Sequence, residues 1–398
     1  MAVTLRRKLA VIAGVYVVEG FPMGVFRDVW PVYFRAHDVP LATIGVLSGL
    51  YLAWSLKALW SPLVDRFGEY LHWIAGALAA MAAALLALAG VDPRSVGVVL
   101  AVLLVAYCVA SATQDVAIDA YTIGLVDRGE EGQANAVRIT AYRVGLIAAG
   151  GGVVLLADAF GWRVAWWCAA AFSALLGLSV LRAPRLSIPR EARRHPFAAL
   201  GRWVGREGAP AVLAFVLLYR LGDLALGPMV RTFWVDRGLG LAEIGWIQNV
   251  LGVVATTVGA IVGGAIVTRV GIGRALWIVG ALALGSNLGY AAAAGWPETG
   301  RAGIYAASVV ESLCGGLAAA GFLSFLMRIC EKEHAAVQYA SLTAIYALPG
   351  TFAGALSGRA VELAGYAPFF AATALLALPA FAFLNPARRW LDEDPPGT

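Results

Sequence analysis

Apolar positions gather into long runs along this chain, and polar positions are largely confined to short breaks between them. Twelve such runs occur, at residues 9–34, 42–65, 71–91, 97–123, 132–157, 162–182, 210–235, 241–268, 274–294, 302–328, 335–358 and 366–385. Each approaches or exceeds the roughly 20 residues that an α-helix needs to cross a hydrocarbon core about 30 Å thick. The pattern predicts an all-α integral membrane protein with twelve transmembrane helices. The longest hydrophilic connection, 183–209, carries Arg185, Arg190, Arg193, Arg194, Arg202 and Arg206, and Pro184, Pro189 and Pro196 break any long helix there. It divides the chain into a six-helix bundle at 1–182, a linker at 183–209 and a second six-helix bundle at 210–398.

The two halves repeat. LATIG from Leu41 and LAEIG from Leu241 each open the second span of their half. At the far end of those spans Asp65-Arg66-Phe67-Gly68 corresponds to Thr268-Arg269-Val270-Gly271, and WIAGAL from Trp73 then matches WIVGAL from Trp277. Parallel repeats of this kind place a transport pathway at the repeat interface.

Orientation follows from the basic flanks. One side collects Arg6, Arg7, Lys8, Arg66, Arg128, the linker arginines, Arg269, Arg274, Arg328, Lys332, Arg388 and Arg389; the other holds Arg35, Arg94, Arg163, Arg237, Arg301 and Arg359. The richer side is the expected cytoplasmic one, with both termini on it. Arg6-Arg7-Lys8 resembles the start of a signal peptide. The run behind it is interrupted by Glu19, continues to about Phe34 and has no A-x-A-like cleavage site, so it is read as an uncleaved first helix.

Composition excludes several classes. Only 14% of residues are charged, against 60% hydrophobic; a soluble domain has about 25% charged residues. The formal charge of +5 comes from helix-end residues and forms no basic stripe, so no nucleic-acid partner is expected. Four cysteines without CxxC or Cys/His spacing predict neither disulfide scaffold nor metal site, and no cofactor is implied. The histidines, His37, His72, His195 and His334, fall in or beside loops, away from any nucleophile arrangement. That disfavours a membrane-embedded acyltransferase, the reading from another class. Gly150-Gly151-Gly152 follows no strand and is no nucleotide loop.

The informative residues are the charges inside the apolar runs. They are Glu19, Arg27 and Asp28 in span 1, Lys57 in span 2, Asp115 and Asp119 in span 4, Arg143 in span 5, Arg220 and Asp223 in span 7, and Glu311 in span 10; Arg231 lies further out on span 7. Spans 3, 6, 9 and 12 carry none in their interiors. Intramembrane charges are costly and normally face a polar cavity, so the charged spans are expected around a pathway and the uncharged ones against lipid. At about 1.5 Å per residue, Glu19, Arg143, Arg220 and Asp223 fall near mid-membrane. Arg27, Asp28 and Glu311 lie towards the outside, and Lys57, Asp115 and Asp119 towards the cytoplasm. Asp115 with Asp119, and Arg220 with Asp223, share helix faces. A structural alternative stands beside each functional reading: Lys57, Asp115 and Asp119 as an ion-pair network that only positions helices, and Arg220–Asp223 as a local pair.

SLKALWSPLVDRF (55–67), SATQDVAIDAY (111–121), AYRVGLIAAGGGVVLLAD (141–158), LLYRLGD (217–223) and SLCGGL (312–317) resemble the AmpG muropeptide permeases of the major facilitator superfamily, in order and spacing over nearly the whole chain. The resemblance implies an inner-membrane importer of peptidoglycan fragments, driven by the proton-motive force and working by alternating access. Asp115, Asp119, Arg143, Asp223 and Glu311 match charged positions of that pattern. The first span, with Glu19, Arg27 and Asp28, is more charged than that of the family, and SLKALWSPLVD also resembles acetyl-CoA transporters.

The sequence thus predicts a monomeric, proton-coupled carrier of an anionic or zwitterionic small molecule in the lipid bilayer, with muropeptide the first substrate. Another anionic conjugate, such as acetyl-CoA or a siderophore, is the alternative. Glu19, Arg27, Asp28, Arg143, Arg220, Gln248, Asn249 and Tyr346 are the candidate substrate residues. The arginines among them suit bidentate carboxylate recognition. Glu311 and Asp223 are the candidate proton-coupling residues.

Overall fold

The structure is a computed structural model that describes residues 4–39, 47, 49–94, 97–186, 196–239, 243 and 246–392. Among these residues every regular element is helical. LATIG and LAEIG lie outside the described residues except for Glu243, as does the stretch with Arg190, Arg193, Arg194 and His195. Two compact units form, one from residues 1–126, 137–200 and 331–340, the other from 127–136, 201–330 and 341–398.

The chain begins with α1 (Leu5–Gly24), a π-helical turn (Val25–Val29) and α2 (Trp30–Ala36). The second span is irregular. Short 3-10 turns at Gly49–Tyr51 and Lys57–Leu59 flank α3 (Leu52–Leu56), and α4 (Ser61–Arg66) follows. Then come α5 (Tyr70–Leu88), α6 (Val98–Leu125), α7 (Glu131–Phe160) and α8 (Trp162–Val180). The linker contributes α9 (Pro196–Val204). Span 7 is broken into α10 (Ala209–Leu218) and α11 (Leu221–Asp236), and span 8 opens on a second π-helical turn (Ile247–Leu251) that runs into α12 (Gly252–Val270). The chain continues through α13 (Ile272–Gly295), α14 (Gly300–Arg328), α15 (Ala335–Ala364), α16 (Tyr366–Leu376) and α17 (Leu378–Asp392).

Ten helical stretches among the described residues are long and apolar enough to cross a membrane. The other two expected spans differ for physical reasons. Span 2 starts outside the described residues and is then broken into short pieces. The helix of span 11 is 30 residues long, but Gln338, Ser341, Thr343, Tyr346 and Pro349 dilute its apolar character. The interior-charge-free spans present apolar side chains outward: Leu175 and Leu178 on α8, Ile278 and Leu282 on α13, and Leu375 and Leu378 on α16 and α17 are exposed.

The repeat is also visible in the turns. Gly68 closes span 2 at φ 71° and Gly271 closes span 8 at φ 80°, the two positions matched in sequence. A positive φ suits glycine and strains most other residues, so the turn geometry constrains both positions alike.

In the first unit α5 packs on α6 and α8, and α1 on α6. The helix α1 also crosses α7 at backbone contact. A Cβ on Gly20 would collide with the Tyr142 carbonyl, and one on Gly145 with the Val17 carbonyl. In lipid, where hydrophobic burial does not drive helix association, such small-residue contacts let backbones meet. The crossing carries Glu19, next to Gly20, into the protein interior. Gly145→Val is therefore expected to lower the stability of the purified protein by about 1–3 kcal/mol. Gly14→Ala, where nothing approaches the added methyl, should raise it by about 0.5–1 kcal/mol. Thermal unfolding in one detergent compares the two, and equal effects at both positions would contradict the crossing.

Candidate functional site

The first unit buries a chain of charges drawn from several helices. Lys57 Nζ donates to Asp115 Oδ2 and lies 4.0 Å from Asp119 Oδ2. Asp119 accepts from Tyr16 Oη at 2.8 Å, and its Oδ1 is 2.7 Å from Arg138 Nη2. Arg138 also donates to Tyr339 Oη at 2.6 Å, and its guanidinium lies over the Tyr16 ring at 4.8 Å. The Glu19 carboxyl rests against Asp115, and its buried Oε2 has no hydrogen-bond partner among the described residues. Three carboxyl groups thus share two cations, and Glu19 is the one without a cation of its own.

The sequence reading brought Lys57, Asp115 and Asp119 together by depth alone, and the structure gathers them. It divides their roles, however: Lys57 serves mainly Asp115, whereas Asp119 belongs to Arg138. Arg138 was missed. It sits near the start of span 5, where an arginine reads as a helix flank. Glu19, expected among the substrate residues, joins this carboxyl cluster.

A second group lies further along the same unit. Arg27 and Asp28 sit on the π-helical turn and bond each other at 3.1 Å. Both are substantially exposed, so the pair contributes little to stability. Asp28 abuts α7 at Gly150. Arg143 on α7 is half-buried beside Arg27, and no carboxylate among the described residues pairs with it. Two guanidinium groups thus lie in one neighbourhood, and Asp28 pairs with Arg27 alone among the described residues.

In the second unit span 7 breaks at Tyr219–Arg220, and Arg220 leaves helical geometry at the break with φ −112° and ψ 13°. Its Nε donates to Asp223 Oδ2 at 3.0 Å, and Nη2 lies 2.9 Å from the same oxygen. Glu311 on α14 and Tyr346 on α15 also face Arg220, and Ser312 Oγ donates to Glu311 at 3.4 Å. Glu311 has no basic residue in its own span, and Arg220 lies electrostatically close to it without an ion pair between them among the described residues. Tyr346 packs on Phe322 with ring centroids 5.2 Å apart. Gln248 and Asn249 lie on the second π-helical turn, and their side chains, like that of Arg231, lie outside what is described.

Twelve helical spans in two repeats, with charges clustered inside each unit, define a polytopic membrane carrier, and the chain belongs to the Major Facilitator Superfamily, whose family model matches residues 12–353. Within it the chain is AmpG-like. It is 30% identical over 390 residues to the anhydromuropeptide permease of Escherichia coli (strain K12), covering 94% of this chain and 78% of that one. It is 26% identical over 389 residues to putative transporter AmpG 4 of Rickettsia conorii, covering 92% and 93%. Among solved structures, the fold matches the E. coli fucose:proton symporter FucP with a TM-score of 0.73 at 14% identity, covering 96% of this chain and 98% of that one. The human organic anion transporter MFSD10 matches with the same TM-score and identity, covering 96% and 100%. These relatives are permeases and transporters, which sets the acyltransferase reading aside.

The charge network makes a stability prediction. Removing one partner of a buried pair leaves its counterpart uncompensated, a loss of about 3–5 kcal/mol. Lys57→Ala and Arg138→Ala should each lower the unfolding midpoint. Adding Asp115→Asn to Lys57→Ala, or Asp119→Asn to Arg138→Ala, should recover part of it. Strictly additive losses in these double variants would argue against the pairing.

Proposed function

We propose that the protein is a proton-coupled importer of anionic or zwitterionic solutes, with anhydromuropeptide the first substrate, working by alternating access in the inner membrane with both termini cytoplasmic. The observation that carries the reading is Arg143, a guanidinium inside a membrane span with Arg27 beside it and no carboxylate among the described residues to pair with. A muropeptide supplies the missing carboxylate, and the E. coli relative is by name a permease for such a molecule.

In this reading Arg27 and Arg143 hold a carboxylate of the substrate, and Arg220 is a further guanidinium that an anion can reach. Substrate drawn to Arg220 competes with Asp223 for the same guanidinium. Glu311, which shares that guanidinium more loosely, takes up the coupled proton. One proton moving through roughly 150 mV supplies about 3.5 kcal/mol, enough to sustain a gradient of a few hundredfold.

Two variants test the reading in proteoliposomes. Glu311→Gln should keep substrate exchange and lose accumulation driven by a pH gradient. Arg143→Ala should weaken muropeptide binding by about 10–100-fold, the range for a lost charge-assisted bond, with pH-driven proton flux through the empty carrier left as it was. Full pH-driven uptake by Glu311→Gln would remove Glu311 from the mechanism. Unchanged affinity in Arg143→Ala would remove the anion site.

A further inference from the structure

We infer that Glu19 and Asp115 hold one proton between them, so that the first unit carries a proton site of its own, separate from Glu311. The site stands on the geometry of this unit alone. Its effect on a bound anion rests on the importer reading.

The charge count of the cluster leads to the proton. Glu19, Asp115 and Asp119 face Lys57 and Arg138, and the other titratable neighbours of Glu19 are the phenols of Tyr16 and Tyr142. Phenols are neutral at ordinary pH. Three ionised carboxyl groups would therefore leave one net negative charge inside the protein at membrane depth. A buried charge without a counter-charge is costly, and such a group neutralises instead. One proton brings the sum to zero.

The partners decide where that proton sits. Lys57 Nζ donates to Asp115, whereas Arg138 and the Tyr16 hydroxyl serve Asp119. Glu19 has no ion pair among the described residues, and its side chain is in hydrogen-bond contact with the Asp115 carboxyl. Two carboxylates cannot form such a bond, since both only accept; an acid and a carboxylate can. Like charges so close do not both ionise. The proton therefore lies on the Glu19–Asp115 contact, with the Glu19 O–H donating, and the two carboxyl groups titrate as a unit. The rest of Glu19 agrees. Only 7% of the residue is exposed, and its buried Oε2 has no hydrogen-bond partner among the described residues. Leaving the carbonyl oxygen of a neutral acid unbonded costs much less than leaving a carboxylate oxygen so.

Position ties the site to the guanidinium groups. Glu19 and Arg27 are eight residues apart in one helical run, about 12 Å along its axis. Tyr142 on α7 is electrostatically close to both, and the contact of Gly20 with the Tyr142 backbone holds Glu19 there. A proton on the Glu19–Asp115 pair removes negative charge from the surroundings of an anion held by Arg27 and Arg143. One unit charge at about 12 Å, with an effective dielectric constant of about 20, corresponds to about a tenfold change in affinity. The anion binds more tightly to the protonated form, so its affinity falls as rising pH strips the proton, and each ligand favours the other.

Infrared spectroscopy of the full-length protein in lipid nanodiscs reads the proton directly, as the C=O stretch of a carboxylic acid at a pH where exposed carboxyl groups are ionised. Glu19→Gln should lose an acid band that Glu311→Gln keeps. Asp115→Asn should lose the same band, because two carboxylates then balance two cations, so either variant decides the site if the other fails to fold. Absence of the band from the wild type, or its survival in Glu19→Gln or in Asp115→Asn, would overturn the shared proton. Titration with anhydromuropeptide over a pH series reads the link to the anion. The tenfold loss of affinity with rising pH should vanish in Glu19→Gln and remain in Glu311→Gln; equal pH dependence in the wild type and Glu19→Gln would break that link. Bands that behave as expected in a protein that fails to accumulate muropeptide would uphold the site and sink the importer reading alone. Accumulation by a protein whose acid band ignores Glu19 would do the reverse.

Discussion

A charge that enters the hydrocarbon core has to meet either a partner or a polar space, and much of this molecule is organised by that requirement. Lys57, Asp115, Asp119 and Arg138 meet one another across three separate segments of chain. Because each is buried with its partner, none can turn towards lipid without abandoning a counter-charge, and this fixes the rotation of α6 and α7 about their own axes. Apolar packing could not do so in lipid, since the tails outside are as apolar as the leucines inside. The glycine contact of α1 with α7 then sets how closely the first helix approaches, and so how deeply Glu19 is carried among these groups.

Departures from regular helix fall in the same places as the charges. Arg27 and Asp28 ride on a π-turn, Lys57 opens a 3-10 turn, Arg220 stands at the break of span 7, and Gln248 and Asn249 lie in the second π-turn. A helix interruption frees backbone N–H and carbonyl groups, which in lipid have nothing to bond to. Such interruptions are tolerated where neighbouring polar groups or water can satisfy them, and those are the surroundings that a buried charge also needs. Discontinuous helices and intramembrane charges therefore mark the same surfaces from two independent requirements.

Much of this was legible before the fold was known. Spans, repeat and charged constellation are consequences of what lipid forbids, and prohibition leaves a clear trace in one dimension. The grouping of Lys57 with Asp115 and Asp119 could be read from depth, because helical rise converts residue number into height. What could not be read was azimuth. Whether Asp119 turns to Lys57 or to Arg138, and whether Glu311 has a cation beside it, depends on helix rotation and on neighbours from other spans.

The two halves keep a common frame and differ in what they hang on it. Gly68 and Gly271 occupy matched turns with matched positive φ, a backbone requirement that few side chains can meet. Side chains facing the interior are under no such constraint. The first unit closes its charges into a network in which Lys57 and Arg138 each have a carboxylate. The second pairs Arg220 with Asp223 and keeps Glu311 electrostatically close to the same guanidinium, two carboxyl groups near one cation among the described residues. In the first unit, Asp28 pairs with Arg27, and no carboxylate among the described residues pairs with Arg143. The repeat thus preserves its turns while redistributing its charges, because a positive φ binds the backbone at matched positions and nothing comparable binds the side chains that face the interior.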